Sequence, residues 1–137
     1  MIVVKLEGIS IDLHFGNFDI PPTESRIGEN HKKRKNKTSY ICINNDQIVG
    51  ALVVGRSRSG KTVRSDGTIV RSSYRKEGVA RDLWKTMLKT EQPQRMCVRV
   101  VSDKGYSLVE SMKEKFPKVK WLIDKDGSRK LRRMSYK

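Results

Sequence analysis

The chain has 137 residues, enough for one domain with a core of its own. It is 36% apolar and 33% charged, and its apolar residues are clustered, which excludes a disordered tail. Against 15 Asp and Glu stand 30 Lys and Arg, a net charge of +15 that draws polyanions, whether an anionic cofactor or a nucleic-acid backbone. No apolar run approaches the roughly 18 residues of a membrane span. The opening MIVVKLEGIS lacks the long apolar core of a leader, so a reducing cytoplasm is the expected compartment. Cys42 and Cys97 sit in apolar runs and read as buried free thiols. His14 and His31 are isolated, so no zinc site is expected.

Residues 1–15 alternate loosely (Ile2, Val4, Leu6, then Ile9, Ile11, Leu13) and read as a strand, or a strand pair broken near Gly8. Residues 16–39 hold Pro21, Pro22, Gly28 and the run HKKRKNK, and read as a basic mobile loop with room for one short helix. TSYICI and QIVGALVV flank Asn44-Asn45-Asp46, the turn chemistry of a hairpin. A Gly/Ser/Arg-rich connection follows, then a short strand at 68–73.

GVARDLWKTMLK predicts a helix, because Val79, Ala80, Leu83, Trp84, Met87 and Leu88 recur at helical spacing; Pro93 ends it. A strand at 96–102 leads to a second helix near 104–116, with Leu108, Val109, Met112 and Phe116 on one face. VKWLI and RKLRRMSY read as a closing hairpin around Asp126-Gly127. The expected fold is a single α/β domain over 1–137, a mixed sheet with flanking helices.

Two segments are candidates for holding phosphate. Gly55-Arg56-Ser57-Arg58-Ser59-Gly60-Lys61-Thr62 matches the pattern G-x-x-x-x-G-K-[ST]. That mechanism needs a helix opening at Lys61, whose first amides help hold the phosphates. VRSDGTIVRSS follows instead, with no helical stripe, so the match reads as a basic hairpin connection. The second candidate is Arg75-Lys76-Glu77-Gly78-Val79-Ala80, between a strand and a strongly amphipathic helix. Gly78 permits close backbone approach, Ala80 is small, and the first amides of the helix have no internal partner. An ordinary turn needs neither the Gly-x-Ala nor the basic pair.

TIVRSSYRKEGVARDLWKTML resembles the coenzyme A-binding motif of the GNAT acetyltransferase superfamily, a short strand followed by Q/R-x-x-G-x-G/A opening a long helix. Arg75, Gly78 and Ala80 match that pattern, and Val70 and Leu83 fall at its apolar positions. The element order from about residue 40 to 123 follows the family as well. The resemblance implies an acetyl-CoA or other acyl-CoA cosubstrate. It places the pantetheine arm along Val70, Arg71 and Ser72 and the pyrophosphate on amides of Lys76, Glu77, Gly78, Val79 and Ala80, beside Arg75. The activity it implies is acyl transfer, usually to an amine.

The departures are as informative. The family's two helices after the first strand are reduced here to a polar, basic segment, which implies an open acceptor side. The family's thiolate-protonating tyrosine falls on Val109, and Tyr106, one turn earlier, is the candidate catalytic residue in its place; the alternative is an aromatic that only packs on the sheet. No glutamate stands on the fourth strand as a base, and neither Asp66 nor Glu77 has a clear claim to that role. For the acceptor, Lys32, Lys33, Arg34, Lys35, Arg56, Arg58, Arg132 and Arg133 are candidate contacts to DNA or RNA phosphate. Compact bacteriophage relatives of the family modify DNA bases and others act on transfer RNA. A nucleic-acid-binding protein without catalysis on the same scaffold remains the alternative.

Overall fold

The computed structural model describes residues 1–11, 32–99 and 103–124. Six strands form one sheet in chain order: β1 (Ile2–Ser10), β2 (Lys32–Asn44), β3 (Gln47–Arg56), β4 (Thr62–Val70), β5 (Arg95–Arg99) and β6 (Lys120–Asp124). The first four run antiparallel, and β4, β5 and β6 are parallel. Helix α1 (Val79–Glu91) joins β4 to β5, and α2 (Asp103–Lys115) joins β5 to β6, the crossovers that parallel strands require.

Both helices contribute to one core with one face of the sheet. Val79, Leu83, Trp84, Met87 and Leu88 of α1 and Val109 and Met112 of α2 meet Tyr40, Cys42, Val49, Leu52, Val54, Val63, Met96 and Val98. The opposite face is apolar too: Ile41, Ile48, Ala51 and Val53 are buried there with Ile11. Cys42 and Cys97 are free and buried, and burial pushes both thiols up from the ordinary cysteine range.

Several local expectations change. The break near Gly8 is a bulge within one strand, with the register slipping between Glu7 and Ile9 and Gly8 at φ 72°. Ser39 stitches it, accepting from the Ile11 N–H at 3.0 Å and donating to the Ile9 carbonyl at 2.7 Å. Residues 32–39, expected in a loop, are the first part of β2. Pairing of Lys32 and Lys33 with β1, of Lys37 with β3 and of Thr38 and Ser39 with both overrides the weak strand propensity of a lysine-rich run. Residues 12–31, where a shortened helical segment is expected, and 129–136, the expected last strand, lie outside the described residues. So does the Asp126-Gly127 turn.

The β2–β3 hairpin turns as expected, with Asn45 and Asp46 at φ 51° and 62°. β4 starts six residues earlier than its apolar pattern suggests. The true connection is the tight turn at 57–61, and Asp66-Gly67 is a bulge inside β4 instead of a turn. Residues 72 and 73, expected as the end of that strand, belong to a 3-10 turn, Ser72–Tyr74. β4 could not be read because TVRSDG is polar and lacks alternation; its pairing with β3 forms it.

Candidate functional site

Strands β4 and β5 pair only at Thr62↔Arg95, Val63↔Met96 and Arg64↔Cys97. Beyond that point β5 stays with β6 while β4 runs on to Val70 along β3. Among the described residues, the β5-side edge of β4 from Ser65 to Val70 has no strand beside it. The sheet therefore opens into a notch. Asp66, the extra residue of the β4 bulge, stands where the two strands part.

Hydrogen-bond alternation decides which groups line this notch. The Arg71 N–H donates to the Val49 carbonyl at 2.8 Å, so residue 71 bonds toward β3. In an antiparallel ladder every second residue does so, which assigns Ile69 to β3 as well. Val70 and Thr68 then aim their N–H and C=O groups the other way, into the notch. The Arg75 Nε donates to the Val70 carbonyl at 3.3 Å, in keeping with that direction. Of the three residues that sequence matching assigns to a ligand strand, Val70 has its backbone so aimed. Arg71 has its amide on β3 and its Nε on the Ile48 carbonyl at 3.4 Å, and Ser72 is a turn residue beyond the strand end.

The notch leads to the N-terminus of α1. Lys76 and Gly78 take left-handed backbone conformations, φ 70° and 80°, and wind the chain into the helix. The first helical bond is from the Asp82 N–H to the Gly78 carbonyl at 3.0 Å, and no side chain caps the end. The amides of Val79, Ala80 and Arg81 thus precede any helical partner and carry the positive end of the helix dipole. A β-carbon built on Gly78 meets nothing within 4 Å, so the turn is open at that point. Glu77 departs from the expectation, since its N–H is directed to the Tyr74 carbonyl at 3.4 Å. Arg75 and Lys76 are exposed at this turn.

The turn is seated on the β2–β3 hairpin. The Asn44 Nδ2 donates to the Tyr74 hydroxyl at 3.0 Å. Beneath the helix start, Gly50 of β3 leaves room for Val79; a β-carbon there would lie 2.6 Å from Val79 Cγ1. Neither seat is announced by any motif. The Trp84 indole N–H donates to Thr68 Oγ1 at 3.0 Å and its ring stacks on Trp121 at 6.4 Å, tying α1 to β4 and β6.

The G-x-x-x-x-G-K-T segment is a closed turn. The Ser57 N–H donates to Thr62 O, the Gly60 N–H to Ser57 O, the Lys61 N–H to Ser59 Oγ and the Thr62 N–H to Ser57 Oγ. Four of its amides are spent internally and a strand, not a helix, follows, so it cannot cradle a nucleotide phosphate.

The remaining expected residues are dispersed. Tyr106 is half-buried on the first turn of α2, packed on the core that Val70 also touches. Val109 is buried in that core. Asp66 is ion-paired to Lys37 and, at 3.0 Å, to Arg64. Arg56 lies between Glu7 at 2.9 Å and the buried Glu91 at 3.1 Å, so its charge is already spent on carboxylates. Glu91 also holds Lys5 at 3.1 Å and accepts from the Tyr40 hydroxyl; burial first, then that carboxylate, pushes Tyr40 far above the ordinary tyrosine range. Lys35 and Arg58 are exposed. The side chains of Lys32, Lys33 and Arg34, and all of Arg132 and Arg133, lie outside the described residues. Among the described residues no group of His, Cys, Asp and Glu could hold a metal, and no helix is long and apolar enough to cross a membrane.

No protein-family model and no curated protein matches the chain. Solved structures do. A ribosomal-protein-alanine N-acetyltransferase from Brucella melitensis superimposes with a TM-score of 0.55 at 11% identity, over 82% of this chain and 91% of its own. The aminoglycoside N-acetyltransferase AAC(6')-Iy in complex with CoA gives 0.53 at 15% identity, over 82% and 87%. The ribosomal-protein-S18-alanine N-acetyltransferase from Escherichia coli gives 0.52 at 13%, over 80% and 76%. Another solved acetyltransferase chain is spanned over only 32% of its length. A split mixed sheet, a bulged fourth strand and a glycine turn into the following helix, together with these superpositions, identify the chain's fold as that of the GNAT acetyltransferases.

Proposed function

We propose that the chain is an acyl-CoA-dependent N-acyltransferase. The observation that carries this reading is the succession of notch and helix start: among the described residues, a β4 edge with no strand beside it is followed, one turn later, by three amides without a helical partner next to Gly78. An extended pantetheine chain with amide groups would complete the β4 edge at Thr68 and Val70. A pyrophosphate would meet Val79, Ala80 and Arg81. The solved AAC(6')-Iy structure of this fold contains CoA, which supports the assignment.

In such a reaction an amine attacks the thioester carbonyl, the C–N bond forms, and the C–S bond breaks to release the thiol. The chain's share is to fix the carbonyl beside the attacking amine and to meet developing negative charge with a backbone N–H of β4. Tyr106 is the side chain we assign to protonating the leaving sulfur. For the acceptor, the +15 charge favours an amine carried on, or held beside, a nucleic acid.

Titration calorimetry with acetyl-CoA, followed by thiol-release assays on amine acceptors, tests the reading. Saturable binding that Gly78→Glu loses is the expected result; absence of binding at millimolar acetyl-CoA removes the enzyme reading. A second reading, a nucleic-acid-binding protein that transfers nothing, is favoured by the buried Val109 at the family's tyrosine position and by the doubly ion-paired Asp66. CoA binding without thiol release for any acceptor would select it.

The seat of the turn gives a smaller effect. Tyr74→Phe deletes the bond from Asn44, at a cost of about 0.5–1.5 kcal/mol. We expect the Kd for CoA to rise roughly two- to tenfold. Asn44→Ala should do the same, and the two changes together should cost no more than one. Full additivity would show that the contact does not support the turn.

A further inference from the structure

We propose that the outer face of the helical layer, Arg81, Lys85 and Lys89 of α1 with Lys115 of α2, is a docking surface for the phosphodiester backbone of a nucleic acid. On α1 these cations stand four residues apart, so about 6 Å separates each from the next along the axis and the row is about 12 Å long. Arg81, Lys89 and Lys115 are exposed, and Lys85 is half-exposed.

Their surroundings differ from those of the ion-paired cations of the chain. Lys5, Lys37, Arg56, Arg64 and Lys113 each have a carboxylate within ion-pair distance. Among the described residues, Arg81, Lys85, Lys89 and Lys115 have none. Lys115 instead faces another cation: the Lys85 amine beside it holds it below the ordinary lysine range, with Arg81 adding to the effect and Asp82 opposing it. Like charges at this spacing repel, and a row of them on a rigid helix gains by meeting an external anion.

The chemistry of that anion follows from what the face lacks. Met1 and Ile2 are the only exposed large hydrophobic residues among those described, so no exposed aromatic is there to stack on a base. Contact through phosphate alone remains, and a duplex offers one negative charge per about 1.7 Å of its axis, dense enough to engage the whole row. The coenzyme carries phosphate esters of the same chemistry, so the test separates the two sources. The proposal does not depend on acyl transfer.

The experiment measures fluorescence anisotropy of a labelled 20-base-pair duplex against the full chain over a range of salt, with CoA affinity measured in parallel. One variant carries Lys85→Gln, Lys89→Gln and Lys115→Gln, leaving Arg81 beside the coenzyme turn. A charge-matched control carries Lys35→Gln, Arg58→Gln and Lys61→Gln, three exposed positions outside the two helices. The helix variant should bind the duplex at least tenfold more weakly. Its log–log salt slope should be shallower by about 0.9 for each phosphate that it no longer neutralises. Its thermal melt and CoA affinity should match the wild type, and the control should keep the wild-type slope. Three results overturn the proposal: no salt-dependent binding by the wild type, a shallower slope in the control but not the helix variant, or weakened CoA affinity with duplex binding intact. The last would assign the row to the coenzyme's phosphates.

Discussion

Gly78→Glu is expected to lower CoA affinity by roughly a hundredfold or more while leaving a folded protein. Two effects combine. Gly78 sits at φ 80°, where a side chain costs about 1–2 kcal/mol of backbone strain. The larger effect is electrostatic, since a carboxylate would be added at the turn into α1, where the proposed pyrophosphate would sit. Like-charge juxtaposition costs several kcal/mol, and about 2.7 kcal/mol already makes a hundredfold. A β-carbon at this position meets nothing within 4 Å, so the first atom of the new side chain does not clash among the described residues. Gly78→Ala separates the two effects: it carries the strain without the charge, and should lower the melting temperature with a much smaller change in affinity. Calorimetry showing wild-type affinity for Gly78→Glu would remove the coenzyme from this turn.

Gly50→Ala is expected to cost both stability and binding, from the opposite side of the helix start. The added methyl would lie 2.6 Å from Val79 Cγ1, 3.3 Å from Leu83 Cδ1 and 3.4 Å from the Ile69 carbonyl. The first of these is shorter than any tolerable approach, and Val79 and Leu83 are both buried, so the helix end must move. Overpacking of this kind costs about 1–3 kcal/mol. Because Val79 is also the first residue of α1, displacing it tilts the amides that the pyrophosphate would meet. Val79→Ala removes the obstructing methyls and should recover much of the stability, giving a coupling of about 0.5–3 kcal/mol in a double-mutant cycle. Additive effects in thermal and binding measurements would show that the two residues do not meet.

How legible this was from sequence differs by element. α1 and the β2–β3 hairpin stood out because their signals are local: an apolar stripe at helical spacing in one, Asn45 and Asp46 in the other. The glycine turn was legible for the same reason, since a strand, a basic pair, a glycine and a helix lie close together in the chain. The beginnings of β2 and β4 were hidden because KKRKNK and TVRSDG have neither alternation nor apolar content and take strand form from their neighbours. The notch was hidden too, because an unpaired edge belongs to the arrangement of two strands and to neither alone. Gly50 as the seat of Val79, and the closeness of Lys115 to Lys85, join residues distant in the chain that no spacing rule connects.

Among the described residues, the notch is joined at one end only. There the Lys61 carbonyl accepts both the Gln94 N–H at 2.9 Å and the Arg95 N–H at 3.0 Å, and the Lys120 N–H donates to the Gln94 carbonyl at 2.9 Å. Among the described residues, β4 and β5 thus part from a common vertex, their pairing ending at Arg64 and Cys97. In a tapered slot of this kind, thickness sets depth. A slender acyl tail would slide farther toward Arg64 and Cys97 than a branched one, and the thioester would halt at a different rung of β4 in each case. On the proposed acyl-CoA reading, a preference between slender and branched acyl groups would then follow from the parting of two strands, and altering the Lys61 clasp would retune it.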